Sequence, residues 1–288
     1  MKQKLMCLPL YKTSGAVYRF LSAWFKLPSK GAINRLLQKI PLSPGINDVI
    51  IQNVEEAVRC LKKHEKFCLL MFDEISLTYN IEYNTYTDKI EGVYNGDIID
   101  HALVFMLKGI TRKWKQTICY FFNKGPIKPE ALKELIREVI RKFNGVNGLK
   151  IIATICDQGP TKRTAIERLI DDARNFYLRN NVEPKRRIVI DNNEIVPMYD
   201  VPRLLIGIRN NLLKKDLIWK KNNEDVQATW KDIITAYEID CDNGDLRMMP
   251  RITEFHVYED KIERMKVSYA AEIFSYKVAV AINLMARN

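Results

Sequence analysis

An apolar run that stops abruptly at two adjacent carboxylates constrains this chain more than any other feature: Lys66 to Leu77 reads KFCLLMFDEISL. Phe67, Cys68, Leu69, Leu70, Met71 and Phe72 follow one another without alternation, the pattern of a strand buried on both faces. Asp73 and Glu74 fall at its carboxyl end, where a charge is costly unless it has a partner or a ligand. A second stretch, Leu149 to Gly159, repeats the arrangement as LKIIATICDQG: a mostly apolar run from Ile151 to Ile155, then Cys156 and Asp157 before a Gly-Pro break. Two such strands, each delivering one aspartate to a shared edge, suit a divalent metal, because hard cations take carboxylate oxygens from a rigid scaffold. Taken singly, each aspartate also reads as an ordinary strand-end or turn residue.

A length of 288 residues corresponds to about two domains. With 47% hydrophobic residues there is material for a packed core, which excludes a disordered tail. The net charge of +11 favours a polyanionic partner, nucleic acid before a membrane surface. The basic residues are spread along the chain, not gathered in one arm. Cysteines at 7, 60, 68, 119, 156 and 241 form no CxxC pair. Three of them sit in apolar strand-like runs and read as small buried hydrophobes in a reducing compartment. His64, His101 and His256 have no ligand spacing either, so no structural zinc is expected. No apolar run reaches the roughly 18 residues of a membrane span, and the basic amino end has too short an apolar segment for a signal peptide.

Along the chain, residues 13 to 40 hold two short helical patterns. Val17, Phe20, Leu21 and Trp24 form the stripe of the first; Ser29 caps a second that carries Ile33, Leu36, Leu37 and Ile40. A basic second helix with Lys30, Arg35 and Lys39 is compatible with a helix-turn-helix on DNA and equally with a helical hairpin packed on the next domain. After the PLSPG boundary, Asn47 to Lys63 is an amphipathic helix feeding the first acidic strand. Residues 79 to 95 carry hairpin chemistry. HALVFML and QTICYFF are two further strands, joined by a basic link in which Arg112, Lys113 and Lys115 flank Trp114. Lys128 to Phe143 is a helix ending at Asn144-Gly145. The second acidic strand follows, then a helix from Thr161 to Leu178, a short strand Ile188 to Ile190, a strand Ile195 to Tyr199 ending at Asp200, and the helix RLLIGIRNNLLKK. This order of elements fits an α/β fold of the ribonuclease H-like kind: a mixed sheet of three antiparallel strands plus two parallel ones, flanked by helices. In that arrangement the first and fourth strands carry acids side by side.

The segments LLMFDEISL, HALVFMLKGITRKWKQTICYFF, GLKIIATICDQGPTKRTAI, VPRLLIGIRNNLLKK and ERMKVSYAAEIFSYKVAVAIN together resemble the P-element transposase family and its THAP-domain-bearing domesticated relatives, over roughly residues 13 to 288. The resemblance implies a DNA transposase acting in the nucleus, with DNA as partner, self-association left open and no membrane. It implies a helix-turn-helix-like segment at 1–45, a ribonuclease H-like catalytic domain at 46–218 and the start of a GTP-binding insertion at 219–288. Asp73 matches the family's first catalytic acid and Asp157 its second, holding Mg2+ or Mn2+, with Asp200 a further candidate metal ligand. Lys266, Val267 and Ser268 resemble a nucleotide-contacting stretch, so GTP is an implied cofactor. Three departures qualify these expectations. No zinc finger precedes the helical segment; the family's Asp-Pro-Pro-His stands here as Asp200-Val201-Pro202-Arg203; and no counterpart of the family's third acid, a glutamate after the insertion, precedes Asn288. The chain thus reads as ending within the insertion, with impaired catalysis.

Phosphodiester chemistry by two metal ions needs carboxylates that hold the ions about 3.5–4 Å apart. Two acids leave one ion short of a ligand, and Mg2+, which demands near-ideal octahedral geometry, suffers most. Glu74 is the nearest substitute in sequence, but alternation along a strand points it away from Asp73. Asp200 is expected to cap the helix that follows it. A non-catalytic DNA- or protein-binding module on the same scaffold is the alternative function.

Overall fold

The computed structural model describes residues 2–38, 43–84, 88–94 and 96–286. Three helices come first: α1 (Lys2–Thr13), α2 (Gly15–Trp24) and α3 (Lys30–Gln38). Ser14 caps α2, accepting from the Val17 N–H at 3.2 Å, and Ser29 accepts from the Ala32 N–H at 3.2 Å in the first turn of α3. Two findings depart from the sequence reading. The basic amino end forms a helix of its own, and the expected apolar stripe of α2 faces outward, with Val17, Phe20 and Trp24 exposed at 47%, 66% and 76%. The side that packs is marked by Tyr18, buried with Cys7 and Ile33. Its hydroxyl donates to the Pro28 carbonyl at 2.7 Å and its ring meets Tyr11 edge-on, so an aromatic with a polar tip, not the wholly apolar stripe, fixes the helix.

The central layer follows. It begins with β1 (Gly45–Ile46), α4 (Asp48–Arg59) and β2 (Phe67–Ser76). Two small ribbons come next, β3 (Glu82–Asn84) with β4 (Lys89–Glu91) and β5 (Val93–Tyr94) with β6 (Asp97–Ile98). Then come β7 (His101–Gly109), β8 (Lys115–Asn123), α5 (Pro129–Phe143), β9 (Lys150–Cys156), α6 (Pro160–Arg179), β10 (Ile188–Ile190), β11 (Asn193–Tyr199) and α7 (Val201–Leu212). Among the described residues the main sheet runs β1-β8-β7-β2-β9-β11-β10. The meander β2-β7-β8 is antiparallel, whereas β9 lies parallel to β2 and β11 parallel to β9. This is the expected mixed sheet, with β1 and β10 added as antiparallel edges. Two-residue β1 is too short to leave a periodic signal in the sequence.

Alternation assigns the two faces. Cys68, Leu70 and Phe72 of β2 and Leu103, Phe105 and Leu107 of β7 are buried in one cluster with Ile136, Val139, Ile140 and Phe143 of α5 and Ala165, Ile166 and Leu169 of α6. Burying each of the Leu, Ile, Val and Phe side chains contributes about 1.5–3 kcal/mol. The opposite face is only partly covered and presents Met71, Ile75, Val104, Met106 and Ile155 around a cleft of about 380 Å³.

Beyond α7 the chain forms a ribbon, β12 (Leu217–Lys221) with β13 (Glu224–Ala228), and the helices α8 (Trp230–Asp242), α9 (Glu254–Val257), α10 (Val267–Ile273) and α11 (Tyr276–Met285). The ribbon turns at Asn222 and Asn223, both at positive φ, a conformation asparagine tolerates. Val267, Ala270, Ala271, Phe274, Val278 and Ile282 do not form one buried stripe, since Val267 and Phe274 are exposed. The chain breaks at Phe274–Ser275, and the buried residues are Ala270, Ile273, Val278 and Ala281, around which Trp230, Val257 and Ile262 gather.

Candidate active site

Asp73 and Asp157 lie 84 positions apart in sequence, yet the parallel pairing of β2 with β9 makes them neighbours. The register sets Met71 against Ile155, so two residues further on both strands deliver a carboxylate to the same end and the same face. The buried Lys162, in the first turn of α6, joins them. Its ammonium is hydrogen-bonded to Asp73 Oδ1 and lies 3.1 Å from Asp157 Oδ1. The Asp157 oxygen also accepts from the Gly159 N–H at 3.0 Å, and a β-carbon at Gly159 would stand only 3.1 Å from that oxygen, so the close turn favours glycine.

Electrostatics hold Asp157 and Lys162 ionised. Burial acts against the charge on Asp157, but the Gly159 N–H, the Lys162 ammonium and the field of Arg203 outweigh it and keep the carboxyl below its usual range. Burial likewise opposes the charge on Lys162, and the two carboxylates overcome it, raising its pKa. The neighbouring Cys156 thiol is pushed up to about 12, chiefly by burial, and stays a neutral packing group. Lys162 was not singled out from the sequence, because a lysine in the first turn of a helix ordinarily reads as a solvated surface charge.

The other sequence candidates distribute as follows. Asp200 lines the same cleft, next to Asp157 across the β9-β11 pair, and its carboxylate caps α7 by accepting from the Arg203 N–H at 3.3 Å. Among the described residues no three His, Cys, Asp or Glu side chains converge so as to hold a metal ion. Glu74 points to the opposite side from Asp73, where it accepts from the Ile127 N–H at 3.0 Å. Arg112 and Lys113 lie between β7 and β8 and Lys115 opens β8, at the far end of the sheet from the acids. Six residues of β2 separate the two ends, about 20 Å at 3.3 Å per residue. Lys30 and Arg35 are exposed on α3, and Lys39 lies outside the described residues. Lys266 precedes α10 and bonds the Tyr269 hydroxyl at 2.8 Å and Glu263 at 3.2 Å, with Val267 and Ser268 opening the helix.

Family comparison bears on this geometry directly. The model of the TNP-like RNase H N-terminal domain matches residues 42–170, and that of the TNP-like GTP-binding insertion domain matches residues 203–288. The chain belongs to the P-element transposase-like family. The transposable element P transposase of Drosophila melanogaster is 25% identical over 259 residues, which are 90% of this chain and 31% of that protein. Among solved structures, the Drosophila P element transposase strand transfer complex superposes with a TM-score of 0.76 at 22% identity, over 100% of this chain and 60% of that one. The likeness shows a shared fold, and the chain spans about a third of the length of the curated transposase it matches. The ribonuclease H-like sheet built around Asp73 and Asp157 is thus the fold of the family's RNase H domain.

Proposed function

We propose that the chain acts on DNA as a transposase-like protein of the P-element type, in the nucleus, with Asp73 and Asp157 as the carboxylates that hold a divalent cation beside the phosphodiester. The observation that carries this reading is the pairing itself: two aspartates from adjacent parallel strands already share one positive group, so their oxygens point at a common position fit for a cation. Mg2+ or Mn2+ bound there would polarise a phosphoryl oxygen and lower the pKa of a water or hydroxyl. The chain's own contribution is rigidity. Both acids sit on strands buried against α5 and α6, which fixes where a cation and a phosphate could lie.

Around that centre the segments 1–45, 46–218 and 219–288 serve as helical DNA-contacting segment, catalytic scaffold and start of the GTP-binding insertion, with α7 bridging the last two. Lys30, Arg35, Lys39, Arg112, Lys113 and Lys115 are the proposed phosphate contacts, and Asp200 an auxiliary ligand that would have to give up its helix cap. GTP, if bound, meets Lys266, Val267 and Ser268.

The test is incubation of the purified 288-residue chain with supercoiled DNA in Mg2+ and in Mn2+, beside Asp73→Asn. DNA binding that weakens steeply with salt is expected, because phosphate contacts release counterions. Nicking should appear only as a trace in Mn2+, which tolerates looser geometry, and vanish in the variant. Absence of DNA binding at low salt, or nicking that Asp73→Asn leaves intact, would overturn the reading. Robust nicking in Mg2+ would show that a further ligand completes the site.

A further inference from the structure

Lys162 is the buried charge that the family reading leaves without a task. It is 5% exposed, it follows Asp157 by five positions, and it stands where both carboxylates converge. We propose that Lys162 is a built-in counter-ion that occupies the cation position between Asp73 and Asp157 and sets the affinity of that position for a divalent metal by competing with it. This inference rests on the reading of Asp73 and Asp157 as a metal-holding pair.

Charge and geometry both lead there. Two ionised aspartates with one ammonium carry a net charge of −1; without the ammonium they carry −2, and a divalent ion is drawn correspondingly harder. The Asp73 and Asp157 oxygens that face each other are the ones Lys162 engages, so an ion cannot take both while the ammonium stays in place. A lysine suits this role better than an arginine. Its charge is a compact point on a flexible four-carbon stem, able to swing aside, whereas a guanidinium would clamp both carboxylates in a rigid fork. The stem is anchored in the first turn of α6, and the cleft beside it is open toward Met71 and Ile155. Arg203, which also lines the cleft, stays as fixed positive charge once Lys162 has moved.

The experiment is Mn2+ binding to the full chain, followed by electron paramagnetic resonance, for the natural sequence and for Lys162→Met, Lys162→Arg and Asp73→Asn. Lys162→Met should bind Mn2+ at least about tenfold more tightly, the effect of about 1.4 kcal/mol. Lys162→Arg should bind no tighter than the natural chain. Unchanged or weaker binding in Lys162→Met would overturn the proposal and make Lys162 a fixed structural partner of the acids. If Lys162→Met fails to fold in chelator because the two carboxylates repel, recovery of its circular dichroism in Mn2+ supports the proposal and failure to recover counts against it. Asp73→Asn separates the two levels of inference. Mn2+ binding untouched by Asp73→Asn defeats the metal-site reading itself, whereas binding lost in Asp73→Asn but not tightened in Lys162→Met defeats only the role of Lys162.

Discussion

Cys68, Cys119 and Cys156 lie inside the sheet, and burial pushes each thiol up to about 12. The thiolate is the nucleophile, so raising the pH from 7 to 9 should leave these three unlabelled by iodoacetamide while the exposed Cys60 reacts. Mass spectrometry of the alkylated native chain reads this directly, and rapid labelling of Cys119 at pH 8 would contradict the burial described. Their placement was legible, because each stands within an apolar run. Arg209 was not. It is wholly buried on α7 with no carboxylate partner among the described residues, donating to the Asn210 side-chain oxygen and to the backbone carbonyls of Arg264, Lys266 and Glu263. Burial lowers its pKa, with the charge of Arg264 adding to the effect. Sequence pattern shows which residues are apolar, not which loop will bring carbonyls to a cation. Arg209→Met should destabilise the segment from α7 to α11 by about 2–4 kcal/mol, since several buried carbonyls lose their donor. Thermal unfolding measures the loss.

At the scale of elements, the long buried strands and the amphipathic α4 and α5 could be read from the sequence because their periodicity covers many residues. Of the short elements, the strand Ile188–Ile190 and the hairpin chemistry of residues 79–95 could be read as well, whereas two-residue β1 could not. The N-terminal helices show a second limit: Val17, Phe20 and Trp24 repeat at helical spacing, yet the packed side is set by Tyr18 and its bond to Pro28. Periodicity finds a helix without saying which neighbour it meets. The turn from β7 to β8 is a third case. A β-carbon at Gly109 would come within 2.2 Å of Trp114 Nε1 and 2.5 Å of the Arg112 carbonyl oxygen, so the indole closes this turn only over a glycine. Gly109→Ala should cost about 1–3 kcal/mol by overpacking. It should also shift the tryptophan emission as Trp114 is displaced. Unchanged stability and emission would show that the turn closes in another way.

Across the whole molecule, the acids and the basic link occupy opposite ends of one sheet, so the proposed metal and phosphate contacts can be perturbed separately. Replacing Arg112, Lys113 and Lys115 with glutamate should flatten the salt dependence of DNA binding, by up to about 0.9 in slope for each phosphate that is no longer neutralised, while leaving Mn2+ affinity as it was. Coupled loss of both would mean that the two ends do not act independently. The proposed cation site at Asp73 and Asp157 should show in an anomalous difference map from crystals of the chain soaked in Mn2+. A peak between the two carboxylates, with the Lys162 ammonium moved off Asp73, is the result predicted; a map with no peak there, and Lys162 still bonded to both acids at a saturating Mn2+ concentration, would contradict it.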